Sequence, residues 1–240
     1  MNLYIIIQAR MTSTRLPAKV MLPLCSKTVL EMMLQRLEVF KENIIIATTN
    51  DGSEAPIVKL CESLHVNYYQ GDTENVLSRY YHAAEKFGAD EESIIVRCTS
   101  DCPLIDADII KNAVEFFKQS DAEYVCACQE SGFPRGMDTE VFTFKHLQEA
   151  YENASTPHHK EHVTPYIKEH VKCAMYKNKN DHSKYRLTLD EKDDYKAIKE
   201  LYAKLKCRSD FSYEELIETL EQNSYIYEMN KHVEQKKHTR

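Results

Sequence analysis

The sequence predicts an α/β fold in which one mostly parallel sheet is doubly wound, with helices covering both of its faces. Short runs of β-branched and aromatic residues alternate with longer segments whose apolar residues recur at helical spacing. The short runs have no polar face, which is typical of parallel strands buried on both sides. Repetition of strand, helix and strand implies right-handed crossovers and a layered structure.

The elements of the first half follow from these patterns in chain order. Thr28 stands three residues before Glu31 and forms a capping box, with apolar residues behind it on one helix face. Gly88 ends a later helical segment, and Asp106 precedes the next one as its N-cap. The predicted strands are residues 3–7, 43–47, 66–69, 93–97 and 123–127, and the predicted helices are 28–37, 53–64, 74–87 and 106–117.

The alternation of strand and helix ends after about residue 131. The later predicted elements are a loop at 132–136, an alternating run at 139–144, helical patterns near 145–153 and 159–170, strands at 171–176 and 185–189, and helices at 194–206 and from Ser212. We interpret 1–240 as a single domain. Residues 131–176 are an insertion on its sheet, and the charged segment 231–240 is a frayed tail.

The composition excludes several classes of function. The 240 residues carry a formal charge of −7 with a pI near 5.8, which argues against broad binding to nucleic acid or anionic membranes. No apolar run approaches the ~18 residues of a membrane span, and the N-terminus lacks the basic start of a signal peptide. We therefore expect a cytoplasmic protein with neither nucleic-acid nor membrane partners.

Eight cysteines raise the question of disulfides or a metal site. A chain of this length buries a core without covalent staples, so we expect reduced and mostly buried thiols. Cys98 and Cys102 form a close pair, as do Cys126 and Cys128, but neither spacing matches a zinc knuckle.

A cluster of cations follows the first predicted strand. Arg10, Arg15 and Lys19 stand there among hydroxyl residues such as Ser13, at the sheet edge where open parallel sheets bind ligands. Guanidinium, ammonium and hydroxyl groups are the donors that a triphosphate needs. The loop contains no glycine, so it is neither a P-loop nor a dinucleotide-binding motif. A solvated basic loop is the alternative.

Two aspartates follow two further predicted strands. Asp101 comes after the strand at 93–97, and Asp190 comes after the strand at 185–189. Carboxylates at strand ends can hold Mg²⁺ against phosphate oxygens, because Mg²⁺ prefers oxygen ligands. For either residue alone, a helix cap is the alternative role.

Together these motifs resemble those of the cytidylyltransferases that make CMP-activated acidic sugars. In particular they resemble the SpsF-type spore coat polysaccharide biosynthesis proteins, relatives of CMP-Kdo and CMP-sialate synthetases. The resemblance extends in collinear order over residues 3 to about 206, and the motifs are specific as a set. They are residues 8–11 with 13–17 and Lys19, 47–49, Gly71 with 76–81, 101–106, 133–142, 161–167 and 186–190. The sequence departs from the family at Thr12, Ala18 and Ser100, where the family has glycine.

The resemblance implies a fold, a reaction and a partner. The sheet would be Rossmann-like, of the nucleotide-diphospho-sugar transferase type, and 131–176 would mediate a homodimer. The chain would be a CTP-dependent cytidylyltransferase with Mg²⁺ as cofactor. It would activate a small acidic sugar, nonulosonic or Kdo-like, to its CMP-sugar with release of pyrophosphate, for surface polysaccharide or glycan biosynthesis.

The resemblance also implies roles for individual residues. Arg10, Arg15, Lys19 and Asp101 would be catalytic. The nucleotide-binding residues would be Gln8, Ala9, Arg10, Ser13, Arg15, Lys19, Thr48 and Asp101. The residues facing the sugar would be Arg135, Asp138, Glu140, Glu161, His162 and Arg186. Asp101 and Asp190 would hold the Mg²⁺.

Several alternatives stay open on the sequence. A glycosyltransferase that consumes a nucleotide sugar would use similar cations and carboxylates, and a nucleotidyltransferase could take a different nucleotide. A non-catalytic protein that keeps the fold is a further class. His158 and His162 share a helix face and could form a zinc pair, but the order of a zincin motif and a third ligand are missing.

Overall fold

The apolar runs of the sequence become strands of one seven-stranded sheet. The computed structural model describes residues 2–234. The strands are β1 (Leu3–Gln8), β2 (Pro23–Leu24), β3 (Lys27–Thr28), β4 (Ile44–Thr49), β5 (Asn67–Gly71), β6 (Ile94–Thr99), β7 (Tyr124–Ala127), β8 (Thr139–Thr143) and β9 (Cys173–Met175). The spatial order in the main sheet is β5-β4-β1-β6-β8-β7-β9, and β2 pairs with β3 in a separate hairpin.

The sheet is mostly parallel, as predicted, with one antiparallel strand. β1 pairs in parallel with β4 and β6, β4 with β5, and β7 with β9. β8 runs antiparallel to both β6 and β7. It follows β7 without a crossover helix, and such a direct return reverses the strand direction. The segment 131–176 therefore supplies a strand to the interior of the main sheet.

Ten α-helices lie within residues 2–234. They are α1 (Val29–Arg36), α2 (Ala55–Leu64), α3 (Val76–Lys86), α4 (Ala107–Gln119), α5 (Phe144–Asn153), α6 (Pro157–His162), α7 (Pro165–His170), α8 (Lys192–Lys204), α9 (Tyr213–Gln222) and α10 (Tyr225–Asn230). The predicted caps are confirmed for α1 and α4, where Thr28 and Asp106 accept hydrogen bonds from backbone N–H groups of the first turn.

Both faces of the sheet are covered, which confirms the doubly wound fold. Successive side chains of a strand point to opposite faces. Ile5 and Ile7 of β1 pack into the core that α1, α2 and α4 cover, whereas Ile6 packs into the core beneath α3, α5 and α7. All three side chains are fully buried. Burial on both faces explains why the strands read as unbroken apolar runs.

A third apolar cluster joins the C-terminal helices to the carboxyl edge of the sheet. It contains Leu187 and Leu189, which precede Asp190, together with Leu201 of α8 and Leu216 of α9. All four of these leucines are buried. The chain around Asp190 is thereby anchored by apolar packing beneath it.

Arg36 of α1 fixes the linker between α8 and α9. Its buried guanidinium donates to the carbonyl oxygens of Ile105, Ser209 and Phe211 at 2.7, 2.9 and 3.1 Å. It also lies 3.2 Å from the carboxylate of Asp106. A buried charge needs such partners, so this arginine ties three separate segments together.

One strand prediction in the second half is wrong. Residues 185–189 form no strand, and only Arg186 makes a single bridge, to Arg135. The backbone there bonds to loops instead, as when Leu189 N–H donates to the carbonyl of Asp101. The apolar pattern of this segment reflects packing on the third cluster rather than a strand ladder.

Two of the eight cysteines are bonded to each other. Cys25 and Cys207 form a disulfide, so the expectation of reduced thiols is wrong for this pair. The other six are free, and four of these are buried. The bonded pair is separated by 182 residues. No spacing motif could reveal it, because the docking of the linker between α8 and α9 beside the β2–β3 turn creates the contact.

The described part of the chain has two further features that bear on the predictions. Among residues 2–234, no helix combines the length and the apolar character needed to cross a membrane. The tail predicted over 231–240 lies mostly outside the described residues, which end at Glu234.

Candidate active site

The loop after β1 carries the predicted phosphate-binding cations to the carboxyl edge of the sheet. The N–H of Ala18 donates to the carbonyl of Met11 at 2.9 Å and closes the loop. Lys19 then begins a short 3₁₀ turn. Arg10 is exposed, and both Ser13 and Arg15 are partly exposed, so a polyanion can reach these groups.

The centre of the site is an ion cluster around Lys19. Its ammonium nitrogen lies 2.7 Å from Oδ2 of Asp101 and 3.0 Å from Oδ1 of Asp190. Arg15 places a guanidinium nitrogen 3.0 Å from the same oxygen of Asp190 and another 3.5 Å from Glu191. We call Arg15, Lys19, Asp101 and Asp190 the Lys19 cluster. It joins two predicted phosphate-binding cations to both predicted metal ligands, from three segments of the chain.

Backbone hydrogen bonds set the separation of the two aspartates. The N–H of Leu189 donates to the carbonyl of Asp101 at 2.7 Å, which docks the segment before Asp190 against the end of β6. Asp194 is fully buried, and its Oδ2 accepts from the N–H groups of Asp190 and Glu191, each at 3.0 Å. The side chain of Asp190 therefore starts from a fixed backbone.

Arg186 lies beside Asp190 in a network of buried charges. It donates to Asp190 at 3.0 Å and to both carboxylate oxygens of Asp194 at 2.8 and 3.1 Å. Asn230 of α10 donates to Asp194 and to the backbone carbonyl of Arg186, each at 3.0 Å. Arg186, which is predicted to face the sugar, is therefore paired with two carboxylates and holds Asp190 in place.

Charge pairing keeps Lys19 and Asp101 ionised. Burial disfavours the carboxylate of Asp101, but the adjacent Lys19 ammonium outweighs burial and lowers the pKa of Asp101 to about 2. Burial also disfavours the Lys19 ammonium, yet Asp101 and Asp190 outweigh it and raise the Lys19 pKa. Both Asp101 and Lys19 are therefore charged at neutral pH.

The two aspartates also fit a divalent cation. Oδ2 of Asp101 and Oδ1 of Asp190 both lie within 3.0 Å of one nitrogen, that of Lys19. Mg²⁺ takes a small number of carboxylates and completes its shell with water and substrate phosphates. Within residues 2–234, no group of three or more His, Cys, Asp or Glu side chains is arranged for a metal. Phosphate oxygens would thus have to supply part of the shell.

The turn at Arg135 and Gly136 packs against the segment that carries Asp190. The N–H of Arg135 donates to the carbonyl of Tyr185, and the N–H of Leu187 donates to the carbonyl of Arg135, at 3.0 and 2.7 Å. Gly136 has a φ of +105°, and a Cβ there would lie 2.6 Å from the carbonyl carbon of Leu187. Only glycine permits both this backbone conformation and this close approach.

Arg135 and Asp138 form a partly exposed pair on the same turn. Their closest charged atoms are 3.6 Å apart, and Asp138 also accepts from the N–H of Gly136 at 2.8 Å. Burial raises the pKa of Asp138, although the charge of Arg135 opposes this effect. The separation is longer than a hydrogen bond, so the Arg135 guanidinium can bind another acceptor.

Glu140 of β8 is the centre of a second, buried polar network. Arg97 and the hydroxyl of Tyr124 both donate to its carboxylate. Thr164 and Lys168 donate to the same carboxylate at 2.8 and 2.9 Å. Burial opposes ionisation, but Arg97 and Lys168 outweigh it and hold the pKa of Glu140 well below its usual range. We call these five residues the Glu140 network.

The predicted nucleobase residues lie at the ends of β1 and β4. Gln8 accepts from Arg97 at 3.1 Å, which links the end of β1 to the Glu140 network. Ala9 is buried, and its N–H donates to the carbonyl of Ala47 at 3.1 Å. Thr48 is fully buried, and its hydroxyl has no hydrogen-bond partner among residues 2–234.

Arg79 of α3 is a further cation at this edge. Its side chain is 1% exposed, and two of its nitrogens, Nε and Nη1, have no hydrogen-bond partner within the described chain. Its stem packs against Gly71 at the end of β5. Burial lowers the pKa of Arg79, and the charge of Arg10 lowers it further. Asp72 and Asp51 offset part of this effect, but a buried cation with two unbonded nitrogens beside Arg10 favours an anionic group on this side of the site.

Glu161 and His162 stand on α6, which packs against α3 and α7. Glu161 is exposed, and its carboxylate lies 4.0 Å from the partly exposed ring of His162. The rings of His158 and His162 have centroids 4.8 Å apart. No third ligand completes a metal group there among residues 2–234, so the structure gives the zinc alternative no support.

Sequence patterns alone did not point to several residues of the site. Arg97 carried a signal, because it follows directly on the apolar run Ile94–Val96, and a charge in such a strand needs a partner. Lys168 and Asp194 carried none, since each stands in a helix where charged residues are ordinary. Arg79 lies within the motif at 76–81, but that motif implied no role for it.

Comparisons with known proteins agree on one family. The family described as Cytidylyltransferase matches residues 4–234. The spore coat polysaccharide biosynthesis protein SpsF of Bacillus subtilis is 32% identical over 92% of this chain and 95% of its own length. A structure of a cytidylyltransferase from Leptospira borgpetersenii is 36% identical, with a TM-score of 0.90, and the alignment covers 98% of this chain and all of that one. A 3-deoxy-manno-octulosonate cytidylyltransferase of Francisella philomiragia is 31% identical over 48% of this chain and 45% of its own.

We expect Gly136→Ala to destabilise the protein by at least about 2 kcal/mol, because the new Cβ would collide with the backbone of Leu187. Gly52→Ala is the matched control, since Gly52 has a similar φ of +88° but nothing within 4 Å of its Cβ position. Urea unfolding of both variants measures the difference. Equal stability of the two variants would show that the close approach at Gly136 does not matter.

The pairing of Asp101 with Lys19 should appear as a pH dependence of stability. The Asp101 pKa is about 2 in the folded protein and ~3.9 in the unfolded chain, so its stabilisation is complete above about pH 4 and lost as the pH falls toward 2. Between about pH 4 and pH 2, the free energy of unfolding of the wild type should fall by about 2 kcal/mol more than that of Asp101→Asn. Denaturant unfolding from pH 5 to 2 tests this, with exposed Asp108→Asn as control. Parallel curves for wild type and Asp101→Asn would contradict it.

Proposed function

The chain belongs to the cytidylyltransferase family, and we propose that it transfers the cytidylyl group of CTP to an acidic sugar of the nonulosonic or Kdo-like type. Membership in this family makes it a CTP-using nucleotidyltransferase. The observation that carries the proposal is the Lys19 cluster, in which Arg15 and Lys19 meet Asp101 and Asp190. The product would be a CMP-sugar for surface polysaccharide or glycan biosynthesis.

The reaction asks for positioning and charge neutralisation rather than covalent catalysis. A hydroxyl oxygen of the sugar attacks the α-phosphorus of CTP, a new phosphorus–oxygen bond forms, and the bond to the β-phosphate oxygen breaks, while the hydroxyl proton passes to solvent. Arg10, Arg15 and Lys19 would bind the phosphates and stabilise the departing pyrophosphate. Mg²⁺ held by Asp101 and Asp190 would supply further neutralisation of phosphate charge when bound.

Arg135 is our candidate for the carboxylate of the sugar. Its side chain is 33% exposed, and Asp138 holds it only loosely at 3.6 Å. Arg97 and Arg186 are already paired with Glu140 and Asp194. Arg135 therefore has donors to spare for a planar carboxylate. The Francisella relative is named for an acidic sugar of this kind, 3-deoxy-manno-octulosonate, which supports the choice.

The purified chain should release pyrophosphate from CTP only when an acidic sugar and Mg²⁺ are both present. Coupled pyrophosphate detection with CTP and a panel of nonulosonic and Kdo-like acids, against neutral hexoses, measures this. Arg135→Met should raise the KM for the sugar at least about tenfold and leave the KM for CTP unchanged. Turnover with neutral sugars alone would refute the acidic substrate class.

The same assay separates the roles within the Lys19 cluster. Lys19→Ala should reduce turnover by about a hundredfold, as for the loss of a transition-state charge stabiliser, whereas exposed Lys59→Ala on α2 should not. Asp101→Asn should raise the Mg²⁺ concentration needed for half-maximal turnover, and exposed Asp108→Asn is its control. An unchanged Mg²⁺ requirement in Asp101→Asn would place the metal elsewhere.

We further propose that the chain forms a homodimer through 131–176. Among residues 2–234, two of the four exposed large apolar side chains, Tyr151 and Met175, lie in this segment. Met175 also lies on β9, which is an edge strand of the sheet within residues 2–234, and edge strands can pair with another chain.

Light scattering of the wild type should give about twice the chain mass of 28.0 kDa at micromolar concentration. Met175→Glu should shift the protein toward monomer. Tyr225→Glu is the matched control, because Tyr225 is equally exposed, at 46%, but lies outside the segment. A monomeric wild type would contradict the dimer, and equal effects of the two substitutions would place the contact elsewhere.

A further inference from the structure

Cys126 and Cys128 bring two thiols into contact at the end of β7. Cys126 lies in β7, and Cys128 follows the last residue of that strand. Residues two apart in extended backbone share a face of the sheet. The two Sγ atoms are 3.2 Å apart. Among the six free cysteines, all of which fall within residues 2–234, this is the pair whose sulfur atoms touch.

The two thiols differ in access, as a reactive pair requires. Cys126 is 9% exposed and is shielded within the apolar core beneath α3 and α5, whereas Cys128 is partly exposed at its edge. The hydrogen bond with Cys126 lowers the pKa of Cys128, which increases its thiolate fraction. By contrast, burial raises the pKa of Cys61 and that of Cys98 to about 12 each. The hydrogen bond with Cys128 and burial also raise the pKa of Cys126, so Cys126 stays a protonated thiol beside the more acidic Cys128.

The backbone at Cys128 can accommodate a covalent bond between the sulfurs. In the sheet ladder β7 pairs with β8 only as far as Ala127. The N–H of Cys128 donates to the hydroxyl of Ser131 instead of to a neighbouring strand. Residues two apart in extended backbone have Cα atoms ~6.7 Å apart, near the upper limit for a disulfide. A bond here forms under strain, and strained disulfides are readily reduced again.

We propose that Cys126 and Cys128 are a reversible dithiol–disulfide couple that reacts with hydroperoxides. The Cys128 thiolate attacks the peroxide, the O–O bond breaks, and Cys128 becomes a sulfenic acid as water or an alcohol leaves. The Cys126 thiol then attacks that sulfur, the S–S bond forms, and the hydroxyl of the sulfenic acid leaves with the thiol proton as water. The two electrons lost by the sulfurs reduce the peroxide, and an added thiol reductant reverses the change. Cys126 is the ladder partner of Glu140, but the couple requires no step of the proposed cytidylyl transfer.

Peptide mass analysis of the intact chain tests this site directly. Trypsin releases residues 119–135 as one peptide that contains Cys126 and Cys128 and no other cysteine. After limited hydrogen peroxide treatment and alkylation, this peptide should lose the mass of two hydrogen atoms and take up no alkyl group. Dithiothreitol should restore both alkylation sites. Cys173 is exposed, and its thiol donates to the carbonyls of Lys168 and Val171 rather than to a second cysteine, so it should react at least about tenfold more slowly.

Single substitutions separate a couple from two independent thiols. In Cys126→Ser, Cys128 should gain oxygen instead of losing hydrogen, because the Cys126 thiol that would close the disulfide is absent. Cys173→Ser should leave the reaction of residues 119–135 unchanged. Phenylarsine oxide, which bridges two adjacent thiols with loss of water, should bind the wild type and neither Cys126→Ser nor Cys128→Ser. Oxygen addition at both cysteines of the wild type, or a rate no faster than that of Cys173, would overturn the proposal.

Discussion

Two carboxylates held within 3.0 Å of one ammonium nitrogen are the contact around which the site is arranged. Asp101 and Asp190 carry the same charge and would repel each other if brought together alone. Lys19 makes their approach favourable, and Arg15 adds a second cation to Asp190. The loop after β1, the end of β6 and the segment before α8 therefore depend on one another. A nucleotide with its metal must enter this cluster by competing for groups that are already paired.

The residues that support this contact form layers that run from a partly exposed arginine to a fully buried aspartate. Arg15 is partly exposed, Asp190 and Arg186 lie beneath it, and Asp194 is fully buried with every one of its hydrogen bonds made inside the protein. Asn230 closes the network from α10. Such a fully satisfied network is rigid, because moving one member leaves another buried charge without a partner. The outer cations Arg10 and Arg15 remain accessible to a polyanionic ligand, while the carboxylate of Asp190 beneath them is held in place by Arg186.

The sequence determined the elements and much of the site before any tertiary contact was known. Unbroken apolar runs such as Ile5–Ile7 require burial on both faces, and that requirement alone leads to a doubly wound sheet. The cations Arg15 and Lys19 stand directly after β1, and Asp101 follows β6. Because parallel strands end at a common edge, their meeting could be expected from order along the chain. Helix caps such as Thr28 could also be predicted, since they depend on residues only three positions apart.

Only the tertiary structure decided the contacts between segments distant in sequence. The antiparallel course of β8, the loop conformation of residues 185–189 and the bond between Cys25 and Cys207 carry no local signal. The same holds for Arg186, whose sequence context fits a substrate contact as well as the buried pairing with Asp194 that the fold gives it. Apolar patterns that repeat every 2 or 3.6 residues indicate which face of a strand or helix a side chain occupies. They do not report which distant partner meets that face, because partner choice depends on how whole layers pack.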